Sequence, residues 1–126
     1  MNPGQTSTRS RVLYAEDEVT NRKLLQIQLG RLGISCDLAT NGEEALHLYR
    51  SNNYDVVILD QYMPILNGDE VARTILELNP NQILIAITSD DSEVPTLERT
   101  GFREIFIKPL RGREYLDTIK SYLEHD

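Results

Sequence analysis

Short apolar runs alternate along this chain with longer stretches in which apolar residues recur every three or four positions. Short runs bounded by polar residues are typical of strands, and the wider spacing is typical of amphipathic helices. The runs predict five strands, at residues 12–15, 34–38, 56–60, 83–87 and 105–107. The second run alternates apolar with polar residues, so we expect it at an edge of the sheet rather than at its centre.

Helices are predicted between these strands and after the last one. The apolar stripe of the first helix runs from Leu25 to Leu32 and is stopped by Gly33. For the second helix, Asn41 is the expected N-cap, with Glu44 at the capping-box position. The third and fifth helices carry their apolar stripes at Val71, Ile75 and Leu78, and at Tyr115, Leu116, Ile119, Tyr122 and Leu123.

The region between the fourth and fifth strands has the weakest pattern. It begins with acidic residues, contains Pro95 and has few apolar anchors, so we expect only a short helix at residues 94–100. Strands and helices that alternate with short connections require a parallel sheet covered on both faces. The fold class is therefore α/β, a doubly wound (βα)₅ parallel sheet. Residues 1–10 are polar and are predicted to form a flexible N-terminal tail.

Composition narrows the possible functions. The formal net charge of −7 argues against direct nucleic-acid binding, which depends on Lys and Arg, and fits a divalent cation or a basic protein surface. No apolar stretch approaches the ~20 residues of a membrane helix, so we expect no membrane contact by this domain. The single Cys36 cannot form an internal disulfide. Together with the lack of a signal peptide, this predicts a cytoplasmic protein.

Chemically reactive residues follow four of the predicted strands. Glu16 and Asp17 follow the first, Asp60 ends the third, Thr88 follows the fourth and Lys108 the fifth. Taken singly, an acidic pair can be a solvated loop and a lysine a surface ion pair. In a parallel sheet, however, all of them gather at one edge, where α/β proteins place their sites.

Three carboxylates in one pocket repel one another unless cations join them. A Mg²⁺ ion and Lys108 would balance that charge and leave a near-neutral pocket for a phosphoryl group. Asp60 is then the candidate nucleophile, and Lys108 and the hydroxyl of Thr88 are the groups that would stabilise phosphoryl oxygens. The proline after Lys108 allows a cis peptide at this point.

In this combination the sequence resembles the receiver domain of two-component response regulators. The resemblance spans residues 11–124 and depends on the site residues above together with Met63-Pro64, Gly68 and Pro109. It implies a flavodoxin-like strand order of 2-1-3-4-5 and a phosphoacceptor at Asp60. It also implies metal ligation by Asp17, Asp60 and the backbone carbonyl of Tyr62, with Glu16 acting through water, and phosphoryl contacts from Thr88 and Lys108.

The same resemblance implies a phosphorelay function. Mg²⁺ is the implied cofactor, with Mn²⁺ able to substitute, and the implied partner is a histidine kinase or a histidine phosphotransfer protein. Such a domain is not a conventional enzyme, although it catalyses its own phosphorylation and dephosphorylation. Glu16, Asn21 and residues 41–45 are most similar to receivers attached to hybrid histidine kinases. The downstream protein or attached domain is not specified by the sequence.

Two features depart from the family pattern. Ile105 stands three residues before Lys108, where the family commonly has an aromatic residue, and the aromatic Phe106 falls on the opposite face of the strand. The interval between Thr88 and Lys108 is also shorter than usual, which predicts a truncated or irregular fourth helix. Both features affect the output switch rather than the phosphorylation chemistry.

Three other functions fit parts of the pattern. A phosphatase with an aspartate nucleophile would need a second acid where Tyr62 stands, and a flavodoxin-like cofactor binder would need a Gly- or Ser-rich phosphate loop after a strand. The third is a receiver-like interaction module that is not phosphorylated. The complete set of site residues argues against it, whereas Ile105 and the short fourth helix favour it.

Overall fold

The computed structural model describes residues 11–124, and the predicted tail at residues 1–10 lies outside them. Within that range five parallel strands form one sheet in the order β2-β1-β3-β4-β5, which confirms the predicted topology. The strands are β1 (Arg11–Ala15), β2 (Ser35–Ala39), β3 (Val56–Asp60), β4 (Ile83–Thr88) and β5 (Glu104–Ile107). The helices are α1 (Val19–Arg31), α2 (Gly42–Ser51), α3 (Gly68–Leu78), α4 (Val94–Thr100) and α5 (Glu114–Leu123).

Two hydrophobic cores lie on opposite faces of the sheet. Alternate strand residues point to opposite faces, so Leu13 and Val57 join one core whereas Val12 and Ile58 join the other. Helices α2, α3 and α4 cover the first face, and α1 and α5 cover the second. The central strand β3 is buried along its whole length, which explains why its sequence is an uninterrupted apolar run that ends in a carboxylate.

The predicted stripe of the first helix was wrong at its last position. Leu32 lies beyond the end of α1 and is 38% exposed. The chain reverses at Gly33, whose φ of +79° is in the left-handed region, and the amide of Ile34 donates to the carbonyl of Leu29 (3.0 Å). Ile34 thereby takes the buried position that the periodic pattern assigned to Leu32.

The predicted N-cap of the second helix is confirmed, but the capping box predicted with it is wrong. The side chain of Asn41 accepts a hydrogen bond from the amide of Glu44 (2.8 Å), as an N-cap does. The carboxylate of Glu44, however, accepts from the amide and hydroxyl of Thr40 rather than from the amide of Asn41. These bonds from Thr40 lower the pKa of Glu44.

The region after β4 is short and irregular, as the sequence predicted. A 3₁₀ helix, Asp91–Glu93, leads directly into the seven-residue α4. Further along, Ile105 packs against the core under α2–α4 and Phe106 against the core under α1 and α5, so the two side chains do occupy opposite faces. None of the helices in residues 11–124 is long and apolar enough to cross a membrane.

Candidate functional site at the carboxyl edge of the sheet

Three carboxylates meet at the carboxyl ends of β1 and β3. Glu16 and Asp17 directly follow β1, and Asp60 is the last residue of β3. One carboxylate oxygen from each lies within 4.8 Å of the others. The register that pairs Tyr14 with Ile58 brings Glu16 and Asp60 side by side when it is extended by two residues. The fold therefore assembles the acidic group that the sequence predicted at this edge.

Lys108 enters this group from the end of β5. Its Nζ lies 3.1 Å from Oδ2 of Asp60 and 3.1 Å from Oε1 of Glu16. The backbone amide of Lys108 donates to the carbonyl of Thr88 (2.8 Å), which holds the residue against the end of β4. The peptide between Lys108 and Pro109 is cis. One ammonium group is thus shared between two carboxylates.

The protonation of Asp60 depends on these neighbours. Burial and the nearby charge of Glu16 raise the pKa of Asp60 to about 7, although Lys108 opposes that shift. For Lys108, burial works to lower the pKa, but the carboxylates of Asp60 and Glu16 outweigh it and the pKa is raised. The ammonium therefore stays charged at neutral pH, whereas the raised pKa of Asp60 means that its carboxyl holds a proton more tightly than an ordinary aspartate does.

Thr88 ends β4 and is fully buried. Its hydroxyl oxygen accepts a hydrogen bond from the amide of Asp90 (3.1 Å). Among residues 11–124 the structure records no hydrogen bond between this hydroxyl and Asp60. The predicted contact of Thr88 with a phosphoryl group therefore stays a prediction, with the side chain at the correct edge of the sheet.

The loop after Asp60 packs tightly against the start of α3. The amide of Gly68 donates to the carbonyl of Gln61 (2.9 Å), and the side chain of Gln61 accepts from the amide of Asp69 (2.9 Å). A Cβ atom at position 68 would lie only 2.6 Å from the backbone oxygen of Asp60. Glycine is required here by this close approach, which fixes the backbone next to Asp60.

Tyr62 spans the mouth of the site. Its hydroxyl donates to the carboxylate of Glu93 and lies 3.5 Å from Oδ2 of Asp90. The acceptor Glu93 raises the pKa of Tyr62 to about 12, so the phenol is neutral at physiological pH. The sequence pattern did not predict this bond between Tyr62 and Glu93.

A second missed residue is Tyr14, which is 1% exposed in β1. Its hydroxyl donates to Oε1 of Glu16 (3.1 Å). Burial and the carboxylate of Glu16 raise the pKa of Tyr14 far above its ordinary value, which keeps the phenol protonated. The available sequence signal was an aromatic residue with a hydroxyl two positions before Glu16, hence on the same face of the strand.

The site opens into a cavity of about 550 Å³. Its walls include Asp17, Asp60, Tyr62, Ser89 and Lys108. An adjacent cavity of about 560 Å³ lies on the side of α1 and α5 and shares Glu16 and Lys108 with the site. The acidic group is therefore accessible from outside, although Glu16 and Asp60 themselves are almost completely buried.

Known proteins that are similar to this chain include hybrid histidine kinases and response regulators. Residues 12–120 match the family described as the response regulator receiver domain. The chain is 31% identical over 125 residues to a hybrid signal transduction histidine kinase F of Dictyostelium discoideum, covering 93% of this chain and 11% of that protein. It is also 31% identical over 111 residues to the two-component response regulator 24 of Arabidopsis thaliana, covering 86% of this chain and 80% of that protein.

Solved structures of receiver domains and response regulators are also similar to this chain. The response regulator TrrA of Thermotoga maritima, determined in complex with Mg²⁺–BeF, is 34% identical and superimposes with a TM-score of 0.83, over 90% of this chain and 98% of that one. The non-phosphorylated receiver domain of HemR from Leptospira biflexa is 25% identical with a TM-score of 0.85, over 94% and 97% of the two chains. The chain belongs to the response regulator receiver domain family of two-component systems.

Proposed function

We propose that Asp60 is the phosphoacceptor of this receiver domain. The observation that carries the proposal is the position of its carboxylate, which ends the central strand and lies 3.1 Å from the ammonium of Lys108 beside two further carboxylates. An ionised carboxylate at such a point can act as a nucleophile toward phosphorus. The open cavity in front of it leaves room for a phosphoryl donor.

The reaction is a phosphoryl transfer from the imidazole of a phosphohistidine. A carboxylate oxygen of Asp60 forms a bond to phosphorus while the phosphorus–nitrogen bond breaks, and the electron pair stays on the imidazole nitrogen. Lys108 compensates charge on a phosphoryl oxygen, and Thr88 supplies a hydroxyl donor on the β4 side of the site. The domain thus catalyses its own phosphorylation and later the attack of water on the aspartyl phosphate, which releases inorganic phosphate and restores the Asp60 carboxylate, and it is not a conventional enzyme.

The acidic group fits Mg²⁺, with Mn²⁺ as a substitute. Its three carboxylates offer hard oxygen ligands within 4.8 Å of one another, the donor chemistry that Mg²⁺ prefers. Asp17, Asp60 and the backbone carbonyl of Tyr62 would hold the ion, and Glu16 would contribute through water. When bound, the ion supplies positive charge that shields the carboxylates from an incoming phosphoryl group.

The partners follow from the reaction. A phosphohistidine must be presented by a histidine kinase or a histidine phosphotransfer protein. Several curated relatives are named as hybrid or sensor kinases, and the chain spans only 11% and 10% of the length of two of them. Attachment of this domain to a kinase is therefore part of the proposal. Phosphorylation is expected to change the surface formed by α4, β5 and α5.

Intact mass after incubation with acetyl phosphate and Mg²⁺ tests the proposal. We expect a gain of one phosphoryl group in the wild type and in the control Asp117→Asn, whose side chain is exposed on α5. The adduct should be absent in Asp60→Asn and after addition of EDTA. Rapid hydrolysis could hide an adduct, so the same samples are also titrated with beryllofluoride. If the wild type responds to neither reagent, the phosphoacceptor assignment is wrong and the unphosphorylated interaction module replaces it.

A further inference from the structure

Glu16 has an unusual set of neighbours for a residue that would reach a metal ion only through water. It is fully buried, and both of its carboxylate oxygens are occupied by donors. Oε1 accepts from the hydroxyl of Tyr14 (3.1 Å) and lies 3.1 Å from Nζ of Lys108. Oε2 accepts from the amide of Glu18 (3.2 Å) and lies 3.3 Å from the same Nζ. The plane of this carboxylate is therefore fixed from two sides.

Among these donors Tyr14 is the one that comes from the core. Its ring is buried between the sheet and helices α1 and α5, and only its hydroxyl reaches the polar edge. The donor Lys108 is shared with Asp60, which competes for it. The hydroxyl of Tyr14 interacts with Glu16 but with none of the other site carboxylates in the described hydrogen bonds. Together with the amide of Glu18, it is a donor that Glu16 has and Asp60 does not.

We infer that Tyr14 is a positioning residue for the metal site, acting through Glu16. The inference rests on the proposed function, because it assumes that the three carboxylates bind Mg²⁺. Without the hydroxyl, Oε1 keeps only Lys108 as a donor, and the carboxylate is held by Lys108 and the amide of Glu18 alone. Residues that orient the groups around a metal in this way typically affect affinity by about tenfold or more when they are removed.

A purely structural role must be separated from this one, since a buried tyrosine hydroxyl needs a partner in any case. Tyr115 provides the matched comparison. It is also buried in the core under α1 and α5, lines the same 560 Å³ cavity, and donates through its hydroxyl to Oε1 of Gln28 (2.7 Å). Tyr14→Phe and Tyr115→Phe therefore each remove one buried phenol hydrogen bond, but only the first touches the site.

The experiment is a titration with MgCl₂, followed by the backbone amide signals of Asp17 and Asp60 in ¹H–¹⁵N spectra. We expect Tyr14→Phe to raise the Kd for Mg²⁺ by roughly tenfold. Tyr115→Phe should keep the wild-type Kd, although thermal unfolding should register a loss of stability in both variants. Equal Kd values for Tyr14→Phe and the wild type would overturn the inference, as would an equal weakening in both variants. If the wild type itself does not bind Mg²⁺, the proposed metal site fails, and the inference with it.

A second pair of titrations tests whether Tyr14 acts through Glu16. In a Glu16→Ala background the group that Tyr14 positions is gone, so adding Tyr14→Phe should leave the Kd unchanged. If the Tyr14→Phe substitution weakens Mg²⁺ binding as strongly in that background as in the wild type, the two residues are independent and the inference is wrong.

Discussion

At the scale of single residues, Asp60 is held in an environment that disfavours its charge. Its side chain is nearly inaccessible to water, and Glu16 lies beside it. The single ammonium of Lys108 only partly offsets this, because Glu16 shares it. The ionised carboxylate is therefore destabilised, and a bound cation or a phosphoryl group would relieve that destabilisation. The same property makes the stability of the domain depend on pH.

The pH dependence of unfolding tests this electrostatic account. The pKa of Asp60 is raised from 3.8 to about 7 in the folded state, so the folded state binds its proton more tightly than the unfolded state does. The resulting stabilisation is complete below pH 3.8 and is lost as the pH rises through 7. In EDTA, the wild type should lose roughly 1–3 kcal/mol relative to Asp60→Asn between pH 5 and pH 8. Urea unfolding at both pH values measures this difference, and a pH-independent difference would contradict it.

At the scale of elements, two helical glycines show how differently the same residue type is constrained. Gly68 begins α3 in close contact with the backbone of Asp60. Gly30 lies near the end of α1, and a Cβ built on it meets nothing within 4 Å. Gly68 packs the start of α3 against the loop after Asp60, whereas Gly30 only lowers the helical propensity of α1.

Alanine substitutions at these two glycines should have opposite effects. Gly68→Ala forces its Cβ to 2.6 Å from the carbonyl oxygen of Asp60, so the loop must move, and we expect a loss of about 1–3 kcal/mol. Gly30→Ala should instead stabilise the protein by about 0.5–1 kcal/mol, because alanine restricts the unfolded chain and favours the helix. Urea unfolding of both variants measures the change in the free energy of unfolding and its sign. Stabilisation by Gly68→Ala would mean that the loop tolerates displacement.

The elements themselves were predictable because their boundaries depend on local patterns. The apolar runs located the strands, and Pro95 with the sparse anchors around it predicted a helix as short as α4. The exceptions also have local causes. Leu32 is exposed rather than buried with the other residues of the predicted stripe, because the reversal at Gly33 brings Ile34 into the core instead. A periodic pattern cannot indicate which of two apolar residues at a helix end will be buried.

At the scale of the whole molecule, the topology of the sheet explains why the site residues lie close together. Parallel strands place their carboxyl ends at one edge, so the order of residues along the chain was enough to bring Asp17, Asp60 and Lys108 together. The contacts of Tyr14 and of Glu93 were not predictable in this way. Tyr14 and Glu16 meet on one face of a strand, and Tyr62 and Glu93 meet between two loops. Whether such side chains come within hydrogen-bond distance depends on the folded backbone and cannot be read from their spacing in the sequence.

The bond between Tyr62 and Glu93 joins two distant parts of the molecule. Tyr62 belongs to the loop after β3, and Glu93 immediately precedes α4. The family commonly has an aromatic residue on β5 at the position of Ile105, which here packs into the core under α2–α4. The bond from Tyr62 therefore links the loop after Asp60 to the residue that precedes α4, at the rim of the site.

Removal of the Tyr62 hydroxyl should loosen α4 without affecting the rest of the fold. In Tyr62→Phe, Glu93 loses its donor at the start of the helix, and amide hydrogen exchange across residues 91–100 should accelerate by about two- to fivefold. Exchange in α1 and α5 should be unchanged. Tyr122→Phe is the matched control, since its hydroxyl donates from α5 to Glu104 (2.6 Å) on β5 and not to a residue at the start of α4. Wild-type exchange at residues 91–100 in Tyr62→Phe would mean that α4 is held by its core contacts alone, and that the rim of the site does not control it.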